Sequence, residues 1–393
     1  MIPHRALYAA FDRVPSAKGA AIHIAHMVRA MERAMGDALL VCAGDGELPP
    51  LEREGGTEVL RLAGSGGHLV DRIAEWQRSL STVLAAQRDT FELCHFRDPW
   101  SGIPILDARG GWQSVYEVNG LPSIEMPERY PNMAAHTVDK IRALERRCLA
   151  EADRILTPSA ALARNLARLG ADASRISVIP NGADLPAPGP RPADAPERYA
   201  LYFGALQPWQ GVGTAIAAMA RLADTYLRLV ICSSHPPHIG LALKARAERL
   251  GVGHRILWRH ELSREELAPW VAHALCTLAP LAESPRNLEQ GCCPLKVLES
   301  MAAGTPVVAS DLAPVRELVT HGEHALLVRP GRADLLARAV RRLADDAALR
   351  DALGRCARER VVDAYTWDAI EERLARWYLA PAAPSLARGG ERR

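Results

Sequence analysis

What most constrains this chain is a rhythm that repeats along its length. Short runs of β-branched and other apolar residues alternate with amphipathic stretches of helical period, the pattern of parallel strands covered by helices on both faces. In the first half the strand-like runs are Ala6–Phe11, Ala38–Cys42, Val59–Leu62, Phe91–His95, Ser114–Val118, Arg154–Thr157 and Ile176–Ile179. Amphipathic segments such as Ala20–Met35, Leu69–Ala86 and Val138–Ala152 lie between them. The rhythm breaks at Leu185–Pro196, where five prolines exclude a helix or a central strand and read as an extended linker. A second series follows: Tyr199–Phe203, Arg228–Cys232, Arg255–Trp258, Leu275–Leu278, Pro306–Ala309 and Ala325–Val328. Two helical patterns, Asp346–Arg360 and Asp368–Tyr378, close it, and a Pro/Ala/Arg/Gly tail comes after Ala380.

A length of 393 residues suits two such domains. The expected architecture is therefore α/β, two Rossmann-like domains facing each other across a cleft, with ligands at the C-terminal edges of the strands. The expected division is 1–185 for the first domain, 186–197 for the linker and 198–365 for the second domain. Residues 366–380 then form a final helix, and 381–393 a frayed tail.

Charge and cysteine usage exclude several functions. The 48 basic and 46 acidic residues leave a net charge of +2, which gives no electrostatic footprint for nucleic acid. No uncharged apolar run reaches the ~18 residues of a membrane-spanning helix, and the N-terminus lacks the pattern of a secretory signal. The eight cysteines are irregularly spaced, as buried thiols of a reducing, cytoplasmic compartment would be. Adjacent Cys292 and Cys293 suit neither a structural zinc site nor an ordinary disulfide. Only four basic residues are lysine, namely Lys18, Lys140, Lys244 and Lys296, and two of them fall inside the segments discussed next.

Four segments carry chemistry. In residues 13–31, Lys18, Gly19, Ala20 and Ala21 open a long helix after the first strand, so a ligand can approach exposed N–H groups where the dipole favours negative charge. The same small residues would equally serve a plain strand-to-helix turn. In Arg286–Pro306 a loop ending Gly291-Cys292-Cys293-Pro294 runs into a helix, with Pro294 expected at its first position and Lys296 in its first turn. Free amides there and the Lys296 ammonium would hold a diphosphate without a metal. Glu299, one turn on, could accept both hydroxyls of a ribose, although a Lys/Glu pair is also common on surface helices. The third segment, IPNGAD from Ile179, has the composition of a tight turn. In the fourth, YFGALQPWQGV from Tyr202, a strand passes through Gly204 into a polar loop and a helix near Gly211.

In this order and spacing, these segments resemble the glycosyltransferase family 4 enzymes of the GT-B fold. The likeness also takes in ADRILTPS at 152–159 and PLKVLESMAAGTPVVAS from Pro294, the latter followed by Glu317; it covers roughly residues 5–379. It implies a first domain that binds acceptor and a second that binds a nucleotide-sugar donor, with the final helix crossing back to the first. It also implies a metal-independent, retaining transfer, with UDP the expected nucleotide and no cofactor beyond that co-substrate. Glu299 matches the second glutamate of the family's E-x7-E motif, which bonds the ribose. The amides at Pro294 and Leu295 match those holding the diphosphate, and Gly19 matches the small-residue loop that faces it.

The chain departs from the family pattern at four positions. The first glutamate falls at Gly291, the family's arginine and lysine fall at Ala205 and Gln210, and its active-site histidine falls at Asn119. Lys296 and Arg286 are the expected replacement cations.

Further polar residues sit at strand ends. Glu117 and Asn119 close an apolar strand, where burial is costly unless satisfied, so a catalytic role beside Lys296 is expected. His95, Asp98 and Glu125 are expected at the acceptor, with plain hydrogen-bonded structure as the alternative for His95. Trp209 either stacks on the uracil or closes its loop. His23 and His26 lie three apart on the first helix and read as a half-buried face rather than metal ligands. Gly64-Ser65-Gly66-Gly67 imitates a dinucleotide loop without the full motif. The acceptor is a small molecule, a sugar or a lipid-linked sugar. Two rival readings stay open: an epimerase or phosphorylase of the same fold, and a catalytically silent partner subunit.

Overall fold

The computed structural model describes residues 4–381, except 17–18, 65–66, 109 and 188. Lys18, Ser65 and Gly66, and nearly all of the expected tail, therefore lie outside the described residues. The chain forms two compact units: Met1–Ser16, Ala20–Ile179 and Glu371–Arg393 make the first, and Ala17–Gly19 with Pro180–Ile370 make the second. The Pro-rich stretch that the sequence places between domains thus belongs to the second unit, and the chain returns to the first unit at Glu371 rather than near residue 366.

The first unit is built on β1 (Ala6–Arg13), β2 (Ala38–Gly44), β3 (Leu51–Glu54), β4 (Thr57–Ala63), β5 (Leu93–Phe96), β6 (Gln113–Glu117), β7 (Arg154–Thr157) and β8 (Ile176–Val178). Their order in the sheet is β3-β4-β2-β1-β5-β6-β7-β8. Every pairing is parallel except β3 with β4, an edge hairpin turned through Gly55 and Gly56. That strand is absent from the sequence expectation because Leu-Glu-Arg-Glu carries no apolar alternation and all four residues are exposed. The Gly-Gly pair before β4 was its only local sign. Helices Gly19–Met35 and Leu69–Ala86 lie close to expectation. Trp76, Leu80 and Leu84 of the second pack with Leu7, Val41 and Phe96 in the core.

The second unit contains β9 (Tyr199–Gly204), β10 (Arg228–Ser233), β11 (Ile256–His260), β12 (Cys276–Ala279), β13 (Val307–Ser310) and β14 (Ala325–Val328). Its order, β11-β10-β9-β12-β13-β14, is parallel throughout. The central strands read as continuous apolar runs because both faces are covered: all of Tyr199–Leu201 and Val307–Ala309 are fully buried. Crossing the sheet outward from β9 in opposite directions leaves β9 and β12 at the point where strand order reverses, the place where such sheets open toward a ligand.

The helix Trp367–Leu379 is shared between the units. Its portion within the first unit is fixed by polar bonds: the Trp377 indole N–H donates to Ser177 Oγ at 2.9 Å, Arg373 donates to the Val178 carbonyl at 2.8 Å, and His26 Nδ1 donates to Glu371 at 2.6 Å. Among the described residues, no helix is long and apolar enough to cross a membrane.

Candidate active site

The C-terminal end of β9 begins the site in the second unit. Gly204 has φ +111°, and a Cβ there would lie 3.7 Å from Lys296 Nζ, so the absent side chain leaves room around the ammonium. The chain then turns through Pro208–Gln210 to Gly211, at φ +67°. Glycine is required at 211, since a Cβ would stand 1.8 Å from the Pro280 carbonyl oxygen. Gly211→Ala is expected to cost about 1–3 kcal/mol or more, combining the left-handed backbone with that clash. Denaturant unfolding should show a lower midpoint with an unchanged slope.

Lys296 stands in the first turn of the helix Leu295–Ala302. Its Nζ donates to Gln210 Oε1 at 2.6 Å and lies 4.1 Å from the centroid of the Tyr202 ring. That ring provides a cation–π seat, and the Tyr202 hydroxyl itself donates to the Ala205 carbonyl. Loss of water around the half-buried ammonium, together with repulsion from Arg286, outweighs the pull of Glu299 and brings the Lys296 pKa down to about 7. Glu299, also half-buried, has its carboxyl pushed upward by burial, against the opposing pull of Arg264 and Lys296.

The loop before this helix is held from several sides. Arg286–Gln290 makes one wide turn, closed by the Gly291 N–H donating to the Arg286 carbonyl at 3.1 Å. The Arg286 guanidinium lies 5.7 Å from the Trp209 ring centroid, and Asn287 Nδ2 donates to the Trp209 carbonyl at 2.8 Å. Trp209 is itself buried, so its ring closes the loop rather than offering a free stacking face. Gly291 adopts φ +84°, ψ 175°, a region that is essentially glycine-only. A glutamate would be strained on this backbone.

Cys292 and Cys293 are buried, and burial pushes the Cys293 thiol up to about 12. Asn181, in the turn flagged from sequence, donates to the Cys293 carbonyl at 2.8 Å and pins the loop. Pro294 caps the helix one residue earlier than the sequence places it, with the Val297 N–H closing onto its carbonyl at 3.0 Å. The amides of Leu295 and Lys296 then have no acceptor within the helix.

In the first unit the expected residues meet around one carboxylate. Glu117, at the end of β6 and 1 % exposed, accepts from Tyr8 Oη at 2.7 Å, His23 Nε2 at 2.6 Å and His95 Nε2 at 2.9 Å, and also from Asn119 Nδ2. Arg97 adds a cation at 3.7 Å. Burial alone would raise the Glu117 carboxyl, but this ring of donors, led by His23, holds it well below its ordinary value. His95 donates through Nε2, so its Nδ1 accepts from the Tyr378 hydroxyl at 2.9 Å, and burial keeps the ring neutral by lowering its pKa.

These contacts correct three expectations. His95 has no exposed surface and Glu117 almost none, so both act inside the network instead of touching an acceptor or reacting atoms. Asp98 caps the helix Pro99–Asp107, accepting from the N–H groups of Ser101 and Phe11, both at 2.8 Å, and from Ser101 Oγ at 2.9 Å. These three donors hold the carboxylate in the cap, and burial pushes it up to about 6. Glu125 projects half-exposed from the helix Pro122–Arg129, outside the network. Asn119 is half-buried, while Gly19 is exposed and Ala20 half-buried at the start of their helix. Tyr8, Arg97, Tyr378, Tyr202 and Asn181 were missed by sequence reasoning. Only Asn181 carried a local signal, and it indicated a turn.

Residues 18–182 match the family described as "Glycosyl transferase 4-like domain", and residues 197–346 match "Glycosyl transferases group 1". The chain is 31% identical over 259 residues to a glycogen synthase of Mycobacterium tuberculosis, covering 64% of this chain and 59% of that protein. It is 30% identical over 230 residues to the MMP alpha-(1->4)-mannosyltransferase of Mycolicibacterium hassiacum, covering 58% and 54%. The chain thus spans little more than half the length of these curated relatives. Among solved structures it shares the fold of the sucrose-phosphate synthase of Thermosynechococcus elongatus, with TM-score 0.80, 22% identity, and 95% and 98% of the two chains covered. It also shares the fold of Anabaena HepE in complex with UDP-glucose, with TM-score 0.74, 17% identity, and 95% and 99% covered.

Proposed function

Since the chain belongs to the family 4 glycosyltransferases, of GT-B fold, we propose that it transfers a sugar from a nucleotide-diphosphate sugar to an acceptor hydroxyl, with retention of configuration and without a metal. The observation that carries this reading is the Lys296 ammonium, seated between Gln210 and Tyr202 above Gly204, with Glu299 one turn further along the same helix. A diphosphate there meets one positive charge and the helix-start amides, and a ribose meets a carboxylate. UDP is the proposed nucleotide, in line with HepE being seen with UDP-glucose.

As the bond between the sugar and the diphosphate breaks, negative charge grows on the leaving phosphate. In this reading Lys296 and the amides of Leu295 and Lys296 donate to that phosphate, and they stabilise the transition state more than the ground state. Arg286 adds positive potential, and Gly19 contributes a small-residue edge. The acceptor hydroxyl attacks the anomeric carbon from the face the phosphate leaves, and its proton passes to that phosphate. Asn119, in place of the family's histidine, offers an amide to the acceptor, with Glu117 setting its orientation. In this reading the first unit binds the acceptor, with Glu125 near its edge.

A thermal-shift panel of UDP-, GDP-, ADP- and TDP-sugars tests the proposal. A ligand at one hundred times its dissociation constant adds about 2.7 kcal/mol of stability. A selective rise with one nucleotide is expected, and a flat response to all four would overturn the donor assignment.

A further inference from the structure

In the first unit a polar tie holds the short helix Pro122–Arg129 against the helix Ala135–Glu151. Glu145, 3 % exposed, reaches back to the first turn of the shorter helix. The Ser123 N–H donates to its Oε1 at 2.7 Å, and Ser123 Oγ lies 2.5 Å from its Oε2. This carboxyl takes the place of an N-cap, because Leu121 at the cap position makes no side-chain bond to the helix-start amides.

Little else fixes this helix. Its eight residues are too few for stability alone, and Pro127 inside it removes an internal bond. Ser123 is its one buried residue, while Ile124 and Met126 pack half-buried on the core. A segment with so few buried apolar contacts opens at low cost, and opening carries Glu145 into water. Protonated, Glu145 Oε2 donates to Ser123 Oγ while Oε1 accepts from the Ser123 N–H, so a neutral group is bonded at both oxygens. Ionised, it is a buried charge that Arg142 offsets only in part and Glu125 repels. Tyr116 of β6 and Cys148 of the same helix also face it, both kept uncharged by burial. On the helix Pro99–Asp107, packed against the same element, Asp98 is taken by its cap and Asp107 pairs with Arg147.

We propose that Glu145 positions the Asn119 loop as a proton-dependent latch: protonated, it holds the helix Pro122–Arg129 closed behind that loop, and on losing the proton it lets the helix open. Asn119 stands three residues before the helix, and its other tie is to Glu117. Burial brings the Glu145 carboxyl from its ordinary 4.5 up to about 7 in the closed state. Closure is therefore strongest below 4.5, weakens as pH rises, and has lost this contribution by about 7. The loop's place in an acceptor site rests on the glycosyltransferase reading, whereas the latch itself does not.

The experiment is hydrogen exchange on the full chain without substrate, from about pH 5 to about pH 8, corrected for the intrinsic exchange rate at each pH. Protection of the amides of residues 123–129 is expected to fall almost tenfold per pH unit up to about 6.5 and to level off above about 7, while β6 and β7 keep theirs. Glu145→Gln, neutral throughout, should hold the acid-side protection at every pH. Ser123→Ala should lower protection at every pH and leave the slope in place. The side-chain NH2 signal of Asn119 in the NMR spectrum, assigned with Asn119→Ser, should shift with the same midpoint in wild type and stand still in Glu145→Gln. Flat protection in wild type, a slope that survives in Glu145→Gln, or one shared by β6 and β7 overturns the proposal. So does Ser123→Ala matching wild type, or an Asn119 signal indifferent to Glu145. No nucleotide sugar enters the measurement, so failure here leaves the donor reading standing, and a flat donor panel leaves this result interpretable.

Discussion

Lys296→Ala is expected to lower the rate of sugar transfer by roughly 10²–10³-fold, the usual loss of about 2.7–4 kcal/mol when one preorganised donor to a developing negative charge is removed. The effect should fall on kcat more than on KM, because the leaving phosphate gains charge only as the bond breaks. The same ammonium predicts a pH signature. Its pKa in the free protein is about 7 because it is stripped of water, below its ordinary value of 10.5. A bound diphosphate favours the protonated form and raises that pKa. Between about 7 and the bound value, binding therefore takes up a proton, and affinity falls about tenfold per pH unit as pH rises; below 7 this dependence vanishes. Titration of UDP-glucose in buffers of different ionisation enthalpy reads the proton directly. Lys296→Arg, charged at every accessible pH, should abolish both the uptake and the slope. If the slope survives in that variant, Lys296 is not the group that meets the diphosphate.

The second large effect is on stability. Glu117→Ala leaves His23, His95, Tyr8 and Arg97 without the carboxylate they share inside the first unit, and breaking a buried charged cluster from one side costs about 3–5 kcal/mol. For units of this size that lowers the unfolding temperature by roughly 6–20 °C. The sign with pH follows from the direction of the shift. The folded pKa of Glu117 lies well below the ordinary 4.5, so its contribution is complete above that value and is lost as pH falls through the folded pKa. Wild type and Glu117→Ala should accordingly differ most near neutrality and converge in strong acid. A difference that does not change across that range would mean that folding leaves the Glu117 pKa where it is in the unfolded chain. A Tyr378→Phe variant, which removes one hydroxyl at the far side of His95, should cost much less, near the ~1 kcal/mol of a single hydrogen bond.

The two effects show how unevenly the site could be read in advance. The donor side was legible because its parts are local. Lys296 and Glu299 are three residues apart on one helix, and a helix start after Gly291–Pro294 follows from composition alone. What could not be read was that Gly291 sits at φ +84°, or that Gln210, 86 residues from Lys296, supplies the oxygen its ammonium meets. On the other side Glu117 was marked as costly to bury, correctly in kind, yet the groups that satisfy it come from 109, 94 and 22 residues away. Asp98 shows the opposite failure. A carboxylate at a strand end looked available for a ligand, although Asp before Pro is also the signature of a helix cap, and the cap claimed it.

By itself the sequence determined two parallel α/β sheets, nearly every strand in them, and the helix that carries the donor residues. Those features depend on periodicity, caps and breakers acting over a few neighbours, so each window of residues contains its own answer. Tertiary structure alone decided which buried polar atoms pair and which carboxylates are taken up inside the fold. Such pairings depend on strand order, and strand order is settled by the packing of a whole core rather than by any one segment.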